Sequence, residues 1–223
     1  MPEILFPTYA PGFTVLPGNI QGSSRHRHEG RLDEIPKTLA KDYLYNNSQI
    51  LVTLLGGHDD GRFMSEKNAT IAGLKLANAF VLTTRRVPQL YYGDEIAMTG
   101  PDEPTTRGDF PPRAFTPAGR TRVQQDLFEY IRGLIRLRRE LEPLRRGPLR
   151  NLFVSEQQYV YARGPVTIAI NNDSKQAEIS WDTDLTDGTV LHDRLGVSSD
   201  VVVKNRKVTV NLPARAVSIL VPR

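Results

Sequence analysis

The chain has 223 residues, enough for one large domain or two small ones, and its 39% hydrophobic and 24% charged residues are ordinary for a globular protein. It has no cysteine, which excludes disulfides, thiolate metal sites and a cysteine nucleophile. A formal net charge of +4 is too small and dispersed to argue for nucleic acid. With no signal peptide or membrane-spanning stretch in the sequence, we expect a cytoplasmic protein that does not bind membranes.

Residues 1–47 are predicted to be an irregular segment that contains a short helix. Proline and glycine interrupt the first thirty residues too often for a regular element. The tract Arg25-His26-Arg27-His28 could bind a metal, but a solvated loop is preferred because no carboxylate cluster lies nearby. A short amphipathic helix is predicted within residues 32–45. Its apolar positions are Leu32, Ile35, Leu39 and Tyr43.

Residues 48–146 are predicted to form an α/β unit. The run at 50–55 is nearly continuous in apolar residues, as in a strand buried on both faces. A helix with Ser65 as its N-cap follows, and a second short strand at 90–92 ends at Gly93. The order strand, helix, strand favours two parallel neighbouring strands in a βαβ unit.

A long helix is predicted next, with Thr116 and Pro117 as its N-cap and first position and Pro143 as its end. Its arginines could contact phosphate, but a solvated face paired with Glu140 and Glu142 is preferred.

Residues 147–223 are predicted to form an antiparallel β-sandwich, because short β-rich runs alternate with turn residues. The boundary is expected at residues 146–148. The predicted strands are 152–154, 159–162, 166–170, 177–181, 201–203, 208–212 and 217–221.

Two groups of polar residues directly follow predicted strands, at Gly57-His58-Asp59-Asp60 and at Asp94-Glu95. In parallel α/β barrels the functional groups come from such positions. A histidine beside a carboxylate suits hydrogen bonding to a sugar and stabilisation of developing positive charge. The alternative is a loop that only caps the next helix.

Together these segments resemble the C-terminal part of the α-amylase family of glycoside hydrolases (family 13), and most of all its cyclomaltodextrinase and neopullulanase-like members. Residues 51–59 resemble the seventh-strand motif, which Gly61-Arg62-Phe63 continues, and residues 88–95 resemble the eighth strand. Residues 107–111 resemble the following loop, and residues 133–139 the eighth helix. The resemblance implies a partial (β/α)8 barrel, comprising its last strands and helices, followed by a β-sandwich.

The resemblance also implies residue roles. His58 would hydrogen-bond the glucose unit at the cleavage site, and Asp59 would be the third catalytic carboxylate, which favours an oxocarbenium-like transition state. Glu103 and Arg107, four residues apart, would bind a neighbouring glucose, and Glu95 is assigned to the same substrate-binding set. No cofactor is expected, and nothing in the sequence indicates calcium or another metal.

Two departures from the family pattern stand out. Gly56-Gly57 replaces an Asp-Asn pair that braces the histidine and aspartate, and Gly108 replaces a common second arginine. In addition, a retaining glycosidase needs a carboxylate nucleophile and a general acid about 5 Å apart. The family motifs that supply both are missing from these 223 residues, so the family mechanism cannot be assembled from this chain alone.

Three hypotheses remain open. The chain is an enzyme acting on α-1,4-glucans such as starch or maltooligosaccharides, a non-catalytic α-glucan-binding module, or a remnant with no present role. The first needs further carboxylates gathered in an oligomer. The candidates are Asp60, Asp94, Glu95 and Asp109. A partial barrel would expose strand edges and an apolar face, so a homo-oligomer is expected.

Overall fold

The computed structural model describes residues 31–85 and 87–223. The predicted irregular segment up to residue 30, with its basic tract, lies outside the described residues. The predicted short helix is present as α1 (Glu34–Leu39), which continues as a 3-10 turn over Ala40–Leu44. Its apolar positions are buried as predicted, except that Tyr43 is 81% exposed. The tighter winding of the 3-10 turn carries Tyr43 away from the apolar stripe of α1.

The predicted βαβ unit is present as β1 (Val52–Thr53), α2 (Ile71–Thr83) and β2 (Val87–Pro88), and its two strands pair in parallel. The predicted bounds of both strands are wrong. Ile50 belongs to a 3-10 turn and is 59% exposed, so β1 begins later than predicted. The second strand lies before residues 90–92, and its ladder with β1 ends at the hydrogen bond from the Gln89 N–H to the Thr53 carbonyl.

Helix α2 begins later than predicted. Its N-cap is Thr70, whose hydroxyl accepts a hydrogen bond from the Gly73 N–H at 3.0 Å. Ser65 lies in a 3-10 turn instead, where its hydroxyl accepts a hydrogen bond from the Gly100 N–H at 2.7 Å. Ser65 was therefore the wrong N-cap, because its hydroxyl is taken by a segment distant in sequence.

The long helix is α3 (Arg122–Glu140), and its N-cap is Thr121 rather than Thr116. Thr121 and Gln124 form a reciprocal capping box, which satisfies two N–H groups of the first turn. Thr116 and Pro117 belong to a separate 3-10 turn. The helix ends at Leu141, and Pro143 begins a further short helix, α4 (Pro143–Arg146).

The C-terminal part of the described chain consists of eight strands in two antiparallel sheets. The strands are β3 (Leu149–Val154), β4 (Gln158–Arg163), β5 (Val166–Asn171), β6 (Ala177–Asp182), β7 (Val190–Asp193), β8 (Val201–Val202), β9 (Lys207–Leu212) and β10 (Ala216–Pro222). The larger sheet has the order β3-β4-β5-β10-β7-β8, and β6 pairs with β9 in the smaller one. Strand β7 was not predicted from the sequence.

The centre of the larger sheet is buried on both faces. On one face Tyr161 and Ile168 pack in the same apolar cluster as Phe80 of α2 and the apolar side of α3. On the other face Val160 packs in a second cluster with Trp181 of the smaller sheet. The sheet therefore joins the two cores, and strands β4 and β5 are almost wholly buried.

Two arginine side chains bind carbonyls at the end of α2, Arg163 from β4 and Arg138 from α3. Arg163 donates to the Thr83 carbonyl at 3.0 Å, and Arg138 donates to the Leu82 carbonyl at 2.8 Å. Cations at a helix C-terminus satisfy its last carbonyls and complement its dipole. Since this contact and the apolar cluster both cross residues 146–148, the division into domains at that point stays a prediction. In the described ranges, no helix is long and apolar enough to cross a membrane.

Candidate sugar-binding site

The loop after β1 carries His58 and Asp59 at the surface. The His58 Nε2 atom lies 3.2 Å from a carboxylate oxygen of Asp59, and their side chains are 61% and 70% exposed. Among the residues described, no heavy atom lies within 4 Å of a Cβ atom added at Gly57. In this part of the chain no packing replaces the side chain that the family pattern places before the histidine, so the pair depends on contacts from elsewhere.

Those contacts come from the 3-10 turn Thr105–Arg107. Arg107 donates from Nη2 to an Asp59 carboxylate oxygen at 3.0 Å and also forms an ion pair with Glu103. The Thr106 hydroxyl donates to the His58 carbonyl at 2.7 Å. The structure thus brings together four of the five predicted site residues, which we call the Arg107 cluster: His58, Asp59, Glu103 and Arg107.

Glu95, the fifth predicted site residue, lies apart from the Arg107 cluster. Its carboxylate accepts a hydrogen bond from the Gly93 N–H at 2.7 Å and so closes its own turn. Gly93 has a φ of 88°, a left-handed conformation that favours glycine, and this lets the chain turn sharply after Tyr92. Glu95 is only partly exposed, and no described contact joins it to Arg107.

Beneath the Arg107 cluster lies a residue whose role the sequence did not reveal. Arg62 is 1% exposed, and its guanidinium lies 4.4 Å and 4.8 Å from the ring centroids of Tyr91 and Tyr92. It donates to the Tyr92 carbonyl at 2.6 Å and to the Thr106 carbonyl at 3.2 Å. Its position within a family-like motif was the only sequence signal.

Asp94 is the buried partner of Arg62, at 3.3 Å. Burial raises the pKa of the Asp94 carboxyl to about 7, while the Arg62 charge acts in the opposite direction and the nearby Glu95 charge adds to the rise. Burial also raises the pKa of Asp60, with a further contribution from the Asp59 charge. Because Asp94 is 5% exposed, it cannot reach a surface-bound sugar.

The exposed part of the Arg107 cluster offers two carboxylates, a guanidinium and an imidazole. Neighbouring hydroxyls on a sugar ring can donate to the carboxylates and accept from the guanidinium, so this donor set fits a polyhydroxylated ligand. Among the residues described, no group of three or more histidine, aspartate or glutamate side chains is placed to hold a metal ion.

The sequence resemblance to the α-amylase family depends on three features that the structure contains. They are an exposed His-Asp pair after a parallel strand, a second strand followed by a Gly-Asp-Glu turn, and an antiparallel C-terminal region. The comparisons agree: residues 29–114 match the catalytic domain of the alpha-amylase family. The chain is similar to part of the family 13 glycoside hydrolases, which confirms the resemblance found in the sequence.

The relatives include a cyclomaltodextrinase from Thermoanaerobacter pseudethanolicus, 30% identical over 59% of this chain and 23% of its own length. Neopullulanase 2 from Thermoactinomyces vulgaris is 36% identical over 52% of this chain and 19% of its own length. The chain therefore spans less than a quarter of either relative.

Among solved structures, an Anoxybacillus α-amylase superposes with a TM-score of 0.78 at 26% identity, covering 98% of this chain and 46% of that one. An α-amylase from Geobacillus thermoleovorans, solved in complex with acarbose, has a TM-score of 0.75 at 26% identity and covers 86% and 43%. The chain thus has the fold of part of a starch-type glycoside hydrolase.

Proposed function

We propose that the chain binds α-1,4-linked glucans through the Arg107 cluster. The observation that carries this proposal is the double engagement of Arg107 with Asp59 and Glu103 beside His58, at the exposed end of a parallel strand. The relatives named above include a cyclomaltodextrinase and a neopullulanase, whose names point to α-glucan substrates. The assignment of Glu95 to substrate binding stays a prediction, and its carboxylate lies apart from the Arg107 cluster.

Hydrolysis of starch or maltooligosaccharides is the second candidate function, and the enzymes among the relatives favour it. Asp59 would act as the carboxylate that stabilises the oxocarbenium-like transition state. The nucleophile and the general acid would have to come from residues outside the Arg107 cluster. Asp94 is unsuited to either role because it is buried against Arg62. Binding therefore requires fewer additional groups than catalysis.

Replacing Arg107 with alanine is expected to weaken maltoheptaose binding by about tenfold or more, because the loss of one charge-assisted hydrogen bond costs about 1.5–3 kcal/mol. Isothermal titration calorimetry measures the dissociation constant. Arg113, exposed on the next 3-10 turn, supplies a matched control. Arg113→Ala should bind like the wild type, and equal binding by all three proteins would contradict the proposed site.

The same assay conditions separate binding from catalysis. Reducing-sugar release from soluble starch is measured for the wild type, Asp59→Ala and Glu95→Ala. Release that Asp59→Ala abolishes supports hydrolysis at this site. Release that both variants retain argues for other residues or a contaminant, whereas binding without release leaves the binding module as the function.

We also propose that β1 and β2 correspond to the last strands of an α-amylase barrel and that a homo-oligomer covers their open side. Large apolar side chains are exposed just before β1, at Ile50, and in β2, at Val87, as are Tyr43 and Leu44 in the 3-10 turn after α1. We expect light scattering after size-exclusion chromatography to give at least a dimer at micromolar concentration, and Ile50→Lys to shift it towards monomer. Val197→Lys, at an exposed position in the C-terminal region, is the control. A clean wild-type monomer would refute self-association.

A further inference from the structure

Arg62 contacts the three segments that together hold the proposed site. Its own backbone follows the loop that carries His58 and Asp59, and its N–H donates to the Gly100 carbonyl at 2.8 Å. Its side chain reaches both the Tyr92 carbonyl and the Thr106 carbonyl. One guanidinium therefore joins the loop after β1, the segment after β2 and the turn Thr105–Arg107.

A series of hydrogen bonds connects Arg62, through Thr106, to the Arg107 cluster. Thr106 accepts from Arg62 Nε at its carbonyl and donates from its hydroxyl to the His58 carbonyl. Its neighbour Arg107 donates to Asp59. Thr106 is fully buried, so the position of this turn depends on the bonds made beneath it, whereas the residues above it face solvent.

Burying the charged side chain of Arg62 in this space costs folding stability. Its Nη2 atom is buried and has no hydrogen-bond partner among the described residues, and its ion pair with Asp94 is long at 3.3 Å. An incompletely satisfied buried charge costs stability, and an apolar side chain of similar volume is often neutral or better. What the planar guanidinium supplies is orientation, since it donates in two fixed directions while two aromatic rings hold its plane.

We propose that Arg62 is a positioning residue, which orients Asp59 and His58 through the turn Thr105–Arg107. The inference rests on the proposed function in that the oriented groups are those assigned to glucan binding. Arg62 itself does not touch the sugar, because it is buried below the tyrosines. Lysine at this position would keep the charge but could neither donate in two fixed directions nor stack as a plane.

The first test needs no ligand. The imidazole C–H signals of His58 and His192 are followed by NMR in the wild type, Arg62→Lys and Thr106→Val, with His58→Gln used for assignment. Both substitutions should move the His58 signal and leave that of His192, in β7, unchanged. Thr106→Val preserves the shape and the carbonyl that Arg62 uses, so it serves even if Arg62→Lys fails to fold. An unmoved His58 signal in a folded variant would overturn the proposal.

Arg138→Lys is the matched control, because Arg138 is another arginine that donates to backbone carbonyls, but from α3 to the end of α2 and to Leu144. It should lower thermal stability without moving the His58 signal. If it moves that signal as much as Arg62→Lys does, the effect is general loosening rather than positioning, and the inference is wrong.

The second test measures maltoheptaose binding in a double-mutant cycle. Arg62→Lys should weaken binding about tenfold in the wild type but less than about twofold in Asp59→Asn, because the residue acts through Asp59. Equal losses in both backgrounds would show that Arg62 does not act through Asp59. If the wild type binds no glucan, the proposed function fails, while the NMR result still decides whether Arg62 positions the pair.

Discussion

Replacing Asp193 with alanine is expected to lower the free energy of unfolding by about 4 kcal/mol, since it leaves several buried donors without an acceptor. Asp193 is 3% exposed at the end of β7. Its two carboxylate oxygens accept hydrogen bonds from two elements. The donors are the N–H groups of Leu195, Val197, Ser198 and Ile219 and the hydroxyls of Ser198 and Ser218.

Asp193 therefore fastens the loop after β7 to strand β10 in the middle of the larger sheet. Urea denaturation at neutral pH measures the loss as a lower midpoint. Asp182→Ala is the control, because the Asp182 side chain is 85% exposed and its ion pair with Lys207 is 3.5 Å long. The control should stay within about 0.5 kcal/mol of the wild type. A loss below about 1 kcal/mol for Asp193→Ala would show that water replaces the carboxylate.

The Asp94 carboxyl should make the protein less stable as the pH rises from about 4 to about 7. Its ordinary pKa of 3.8 is raised to about 7 in the folded chain, chiefly by burial. Between these values the folded state binds more protons than the unfolded state, so stability falls with rising pH. The contribution is absent below the unfolded pKa and complete above the folded one. A shift of this size corresponds to about 4 kcal/mol.

The Asp94→Asn substitution isolates this contribution, because asparagine stays neutral at every pH. The free energy of unfolding of Asp94→Asn minus that of the wild type should become more positive between pH 4 and pH 7.5. Asp109→Asn, at an exposed position, should show a constant difference over the same range. A constant difference for Asp94→Asn as well would mean that Arg62 keeps Asp94 ionised throughout.

Elements whose signal is local were found from the sequence. Patterns within a few residues predicted helix α3, the β-rich C-terminal region and the order strand, helix, strand of β1, α2 and β2. The family motifs around His58 and Asp59 are local in the same sense, because they are short runs of residue types that can be recognised without knowing what packs against them. The similarity to the α-amylase family can therefore be recognised from the sequence alone.

Element boundaries depended on distant partners. Ser65 looked like an N-cap, but the Gly100 N–H uses its hydroxyl. Residues 90–92 looked like a strand, but the ladder with β1 ends at Gln89. Strand β7 was missed because it is short, and its pairing with β10 joins segments far apart in sequence. For Ser65 and β7, contacts with distant segments outweigh a weak local preference.

For the His58-Asp59 site, too, the sequence indicated some features and the tertiary structure decided others. The resemblance of short sequence motifs to the α-amylase family was enough to nominate His58, Asp59, Glu103 and Arg107. Their assembly into one cluster, the separation of Glu95 from it and the buried guanidinium beneath it emerged only when the loops were folded together. The reason is physical: local periodicity records which face of an element is buried, whereas the direction of a side chain in a loop is set by whichever donors and acceptors the rest of the fold brings within about 3 Å.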